Sequence, residues 1–212
     1  MNGLSFGSLL LGSGPRFARD ALGPVLVFYV TWKLAGLAWA VGAATAFALT
    51  AFWWERRRAA SGIMPAIGLG IALVQALVGL ATGSATAYFV PGVLANGLYG
   101  AVFVGSVVIR RPLAGVLARE TYPFPPRVKE SAAFRRIFAR VSLAWGVYLL
   151  GRGTLRLTVL LSSGVDLFVL VSILTGIPFT LALMSWSLWY PLRAFRREPD
   201  LWQPDPKPPA AH

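Results

Sequence analysis

Six apolar stretches, at residues 21–33, 35–54, 63–82, 93–109, 141–160 and 167–189, follow one another with only charged or turn-forming residues between them. Crossing a bilayer takes roughly 20 apolar residues in helical form, and most of these stretches reach or approach that length. A soluble core needs nothing so long. The expected fold class is therefore all-α, a polytopic transmembrane helical bundle with about six membrane segments. Composition agrees, since 56% of the residues are hydrophobic and 13% charged, the latter about half the share in an ordinary soluble domain. The chain divides into a cytoplasmic or interfacial segment at 1–20, a transmembrane domain at 21–192 that includes a basic loop at 110–140, and a basic stub at 193–212. That stub runs into a proline-rich tail, from Glu198 onward, that reads as disordered.

The connections alternate in charge. Arg16 and Arg19, then Arg56, Arg57 and Arg58, then Arg110 through Arg140, then Arg193, Arg196 and Arg197 form one set; Gly83–Gly92 and Ser162–Asp166, with no Lys or Arg, form the other. The positive-inside rule makes the basic set cytoplasmic, which predicts an inner-membrane protein with both termini in the cytoplasm. Trp53 and Trp54 before one Arg run, and Trp186, Trp189 and Tyr190 before another, stand where an interfacial aromatic belt belongs. No charged leader precedes an apolar core in the first residues, and no cleaved signal peptide is expected.

A net charge of +12 invites a nucleic-acid reading, but the basic residues sit between apolar spans instead of forming one face. Nucleic acid is not an expected partner. The chain has no Cys, and its single His is His212 in the tail, so thiolate chemistry and His-based metal or catalytic sites have nothing to be built from. Gly68-Leu69-Gly70 and Gly151-Arg152-Gly153 lack the strand context of a dinucleotide site, and no carboxylate pair falls within a span. The expectation is a protein that is not an enzyme and carries no cofactor.

The loop from Arg110 to Arg140 is amphipathic, with Phe134, Ile137 and Phe138 on one side. Arg110, Arg111, Arg135, Arg136 and Arg140 make it a candidate inner-leaflet or partner surface, each cation gaining about 1 kcal/mol beside anionic headgroups. Small residues recur at helical spacing at Gly36/Ala40/Ala44, Gly68/Ala72/Ala76 and Gly97/Ala101/Gly105. Such stripes let helix backbones approach closely in lipid.

Three cations fall inside the apolar stretches. Pro24 suits the first turn of a helix, which puts Lys33 about 14 Å into the membrane at 1.5 Å per residue. Counted from Val141, Arg152 and Arg156 lie about 17 and 22 Å deep. A cation at a helix centre costs about 2.5–3.5 kcal/mol, so Lys33 and Arg152 should point into protein, whereas Arg156 is placed to snorkel outward. The one acidic residue outside the cytoplasmic set is Asp166, placed to pair with Arg156, while Lys33 and Arg152 would face a polar cavity shared with Gln75 and Asn96. The ordinary reading is structural pairing; the functional one is an anion-binding cavity. Pro24 to Lys33 is too short to cross and Gly36 offers a break, so the first segment is short or re-entrant, which favours a polar pocket.

The stretch PVLVFYVTWK at 24–33, RRPLAGVLARE at 110–120 and LAWGVYLL at 143–150 together resemble the intracellular septation protein A family. The chain also looks like related uncharacterised multi-pass membrane proteins of actinobacteria. The resemblance implies a non-enzymatic inner-membrane protein connected with envelope maintenance, cell shape or septum formation, whose partners are membrane lipids and envelope or division proteins. The alternative is a binder or carrier of an anionic lipid or other anionic amphiphile.

Overall fold

A computed structural model describes residues 23–57, 63–121 and 124–197. Among these residues the only regular elements are helices. They are α1 (Gly23–Ala35), α2 (Leu37–Arg57), α3 (Ile63–Thr82), α4 (Ala85–Val108), α5 (Leu113–Thr121) and α6 (Pro126–Glu130), followed by a helical run over Ala132–Phe195. That run is broken at Gly164 (φ 80, ψ −175), which separates α7 (132–163) from α8 (165–195). The backbone there lies in a region that residues with a Cβ avoid, and a single glycine is enough to turn the chain back on itself. Side chains spaced about evenly on either side of Gly164 meet: Arg156 with Ser172, Trp145 with Ser187 and Arg140 with Tyr190. α7 and α8 are an antiparallel hairpin.

Gly36 (φ 84) plays the same part between α1 and α2. Its N–H donates to Trp32 and its carbonyl accepts from Ala40, each at 3.1 Å, so one residue ends the first helix and starts the second. Among the described residues, three helical runs are long and apolar enough to cross a membrane: Leu37–Arg57, Ala85–Val108 and Ala132–Phe195. Gly23–Ala35 and Ala66–Thr82 are shorter apolar helices. The described part of α1, Gly23–Ala35, is about 20 Å long. The helices carry their apolar side chains outward: Leu34 is 82% exposed, Trp39 72% and Leu77 70%. In water such surfaces would be an aggregation hazard, and in lipid they are satisfied.

The chain forms two compact units, Met1–Leu98 with Gly151–Leu181, and Tyr99–Leu150 with Ala182–His212. In the first, Phe28 of α1 stacks on Tyr88 of α4 with ring centroids 3.9 Å apart. Phe89 packs edge-on to Phe28 and at a tilt to Phe168 of α8. Ala40, Val41 and Ala44 give α2 a low-profile buried face in this cluster. In the second, Phe134 and Phe138 of α7, Val128 of α6 and Phe195 of α8 close around Phe124. The apolar side of the 110–140 region is thus covered by the end of α8, with residues 132–140 forming the first turns of α7.

Close backbone approach occurs at glycines, but only partly at those of the expected stripes. A Cβ on Gly100 would stand 2.9 Å from the Leu150 backbone N, and one on Gly146 would stand 3.1 Å from the Gly100 carbonyl. A Cβ on Gly153 would meet the Gly97 backbone at 3.4 Å. Gly68 and Gly105 face open space, and Gly36 is the turn just described. A periodic small residue marks a contact only if its stripe faces another helix, and periodicity does not tell which way it faces.

The sequence placed an outer loop at Gly83–Gly92 and started the fourth span at residue 93; α4 starts at Ala85 and carries Pro91 inside it. Ser84 caps this helix by accepting from the Ala87 N–H at 3.2 Å. The connection is Gly83 and Ser84 alone. The segments at 1–20 and from Glu198 onward, for which an interfacial lead and a disordered tail were expected, lie outside the described residues.

Candidate functional site

Lys33 and Asp166 meet. The Lys33 Nζ lies 2.8 Å from Asp166 Oδ1 and donates to Oδ2 at 3.0 Å, while the Tyr29 hydroxyl donates to Oδ1 at 3.0 Å. Tyr29 and Lys33 are one helical turn apart on α1, so both reach the same carboxylate. The ammonium also lies over the rings of Trp32, at 5.0 Å, and Tyr29, at 5.6 Å. Lys33 stands two residues before the end of α1 and Asp166 two residues after Gly164, and their side chains are 46% and 63% exposed. Where the sequence sets Lys33 opposite Arg152, the structure sets it on Asp166. Gly23, at the other end of the described part of α1, packs on the ring of Phe47, about halfway along α2. Lys33, three residues before the turn at Gly36, therefore lies beside the start of α2.

Arg152 and Arg156, one turn apart on α7, both reach Ser172 of α8. Arg156 Nε donates to the Ser172 hydroxyl at 2.8 Å and an Arg152 Nη donates to the Ser172 carbonyl at 3.2 Å. The Arg156 guanidinium lies 4.7 Å from the centre of the Phe168 ring and is 7% exposed. Arginine suits this place because its flat cation can stack on an aromatic face while its edge donates hydrogen bonds. Where the sequence paired Asp166 with Arg156, Asp166 receives Lys33 and Tyr29. Gln75 of α3 sits against α4, its amide N 3.0 Å from where a Gly92 Cβ would stand, and Asn96 is half-buried one turn further along α4.

The second unit gathers the other predicted residues. Arg110 has positive φ (59°), a left-handed turn that ends α4. Arg111 N–H returns to the Ser106 carbonyl at 2.9 Å, and the Ser106 hydroxyl accepts from the Leu113 N–H, also at 2.9 Å. The Ser142 hydroxyl accepts from Ala114 N–H at 3.0 Å, so α7 satisfies a free donor in the first turn of α5. Ser131 caps α7 through the Phe134 N–H at 3.0 Å. From that start Phe134, Ile137 and Phe138 turn inward while Arg135, Arg136 and Arg140 stay exposed, the division that helical spacing predicts.

Arg136 and Arg140 line a groove of about 420 Å³ together with Trp189, Tyr190, Arg193 and Arg197 of the α8 end. Arg140 donates to the Tyr190 hydroxyl at 2.8 Å, Tyr190 stacks on Trp186, and Arg193 lies 5.1 Å from the centre of the Trp189 ring. Arg110, Arg111 and Arg135 lie outside its lining. Sequence reasoning named Arg136 and Arg140 but left Arg193 and Arg197 in a separate stub. The available signal was the i, i+4 spacing of each pair, read together with a hairpin at Gly164.

Lipid-exposed helix surfaces, polar side chains set on one another inside the first unit, and arginines at helix ends define an all-α, multi-pass membrane protein. Residues 12–198 match the model of a family described as a protein of unknown function, DUF3159, and the chain belongs to that family. Membership carries the resemblance to uncharacterised multi-pass proteins and makes no link to the septation proteins. No curated protein and no solved structure matches the chain.

Proposed function

We propose that this chain is a non-enzymatic protein of the cytoplasmic membrane that serves envelope maintenance, cell shape or septum formation through membrane partners. In this reading α1, α2, α3, α4, α7 and α8 are six membrane-inserted segments with both termini cytoplasmic. The observation that carries it is the basic face of the second unit, where Arg135, Arg136, Arg140, Arg193 and Arg197 stay exposed above a closed aromatic core. A core of this kind holds the cations in fixed positions, as a docking face requires. Deleting the gene should lengthen cells, displace septa or raise sensitivity to detergent and osmotic stress. Unchanged morphology and envelope integrity under those stresses would overturn the proposal.

A second reading, a carrier of an anionic amphiphile, draws on Arg152 and Arg156 lying side by side inside the helical unit. It predicts that an anionic compound copurifies with the protein and is lost in Arg152→Ala. Copurification that survives this change would remove it.

A further inference from the structure

We infer that the groove between the start of α7 and the end of α8 is a binding site for the phosphodiester headgroup of an anionic glycerophospholipid. The inference deepens the envelope reading: it rests on the same placement of this end of the hairpin at a membrane–water boundary and gives four arginines of that basic face a ligand.

Charge comes first. Arg136 and Arg140 stand one turn apart on α7, and Arg193 and Arg197 one turn apart on α8, all four lining a space of about 420 Å³. Among the described residues that line it there is no carboxylate. Each guanidinium presents a fixed fork of N–H donors that matches phosphate oxygens two at a time. The apolar neighbours then select among anions. Trp189 is half-exposed at the rim and Leu188 and Leu192 are exposed on the same stretch of α8, at 50%, 47% and 63%. Indole rings of this kind settle at headgroup level, and the leucines beside them suit acyl chains.

Positions are fixed in advance. Arg140 is tied to the Tyr190 hydroxyl, Tyr190 is stacked on Trp186, and Arg193 lies over Trp189. Ile137, behind the groove, belongs to the aromatic core. Arg140 and Arg193 thus have less side-chain freedom to lose on binding, which separates a site from a merely basic surface. A free phosphate would use the guanidinium groups but gain nothing from Trp189 or the leucines.

The test uses the full-length protein purified in neutral detergent, with lipid retention read by native mass spectrometry and affinity read on phosphatidylcholine vesicles with and without phosphatidylglycerol. The wild-type chain should retain phosphatidylglycerol, and millimolar inorganic phosphate should not displace it. Arg140→Gln with Arg193→Gln should weaken phosphatidylglycerol binding by more than the roughly thirtyfold that two diffuse headgroup attractions amount to, because fixed paired contacts to the phosphate are lost as well. Arg110→Gln with Arg111→Gln removes the same charge outside the groove and should weaken it by no more than that roughly thirtyfold. Equal losses in the two double variants would mean diffuse attraction and overturn the site. Displacement by inorganic phosphate would make it a free-phosphate site and overturn the lipid assignment. Should the groove variant fail to fold, the wild-type comparison decides: no retained phosphatidylglycerol, or retention equal to that of phosphatidylcholine, overturns the inference.

Discussion

The two units treat positive charge in opposite ways. In the first, Lys33 is set on Asp166, and Arg152 and Arg156 are set on Ser172 and the Phe168 ring. In the second, four arginines are drawn around one groove. The difference follows from surroundings: within apolar helices a cation must find an acceptor in the protein, because the bilayer supplies none. At a water boundary solvent and headgroups can serve, and cations can be collected for a partner. Charge that is satisfied internally holds helices together, and charge that is collected at a surface is available for binding.

Removing a cation should therefore cost far more stability in the first unit than in the second. The largest effect is expected at Arg156. Arg156→Ala takes away a charge-assisted hydrogen bond and leaves a void on Phe168, and thermal or denaturant unfolding in detergent should show a loss of about 2–4 kcal/mol. Arg156→Lys should not recover it, because an ammonium cannot both stack and donate as the flat guanidinium does. A neutral outcome for Arg156→Ala would break the contrast.

A smaller loss is expected at the exposed cluster. Asp166→Asn leaves Lys33 beside a neutral amide and should lower the unfolding temperature by less than Arg156→Ala does. The exchange Lys33→Asp with Asp166→Lys should recover part of the loss. If the exchange behaves no better than Asp166→Asn alone, the ion pair is not what joins α1 to the hairpin.

The smallest effect is expected in the groove. Arg197→Gln removes an exposed cation from its lining and should shift stability in neutral detergent by no more than about 0.5 kcal/mol. The same variant should bind anionic vesicles less well. Loss of stability on the scale of Arg156→Ala would show that the groove is held together as the first unit is.

Much of the architecture was legible in the sequence, because hydropathy reports where a backbone can sit in lipid. The α3 segment was read at its observed ends, residues 63–82. The turn at Gly164 and the start of α4 were read less well. One φ-positive glycine suffices where hydropathy suggests a loop over Ser162–Asp166, and a Gly-Ser pair that stops one helix and caps the next stands where it suggests a loop over Gly83–Gly92. The partners of the buried cations were not legible. Asp166 could be assigned to Arg156 or Lys33 only by knowing how α1 lies along α2 after the turn at Gly36, a packing fact with no local signature. The groove failed to emerge for a related reason: its two arginine pairs are more than fifty residues apart in sequence, and only the hairpin joins them.

The role of the basic face depends on which side of the membrane the arginine-rich helix ends occupy. Because the chain contains no cysteine, single cysteines can be labelled without background by a membrane-impermeant thiol reagent in intact cells. Ser84→Cys, between α3 and α4, and Ser163→Cys, at the α7–α8 turn, should be labelled from outside. Arg57→Cys and Arg197→Cys should react only after the membrane is opened. Labelling of Arg57→Cys and Arg197→Cys in intact cells, with Ser84→Cys and Ser163→Cys protected, would contradict the orientation and with it the inner-leaflet role of the basic face.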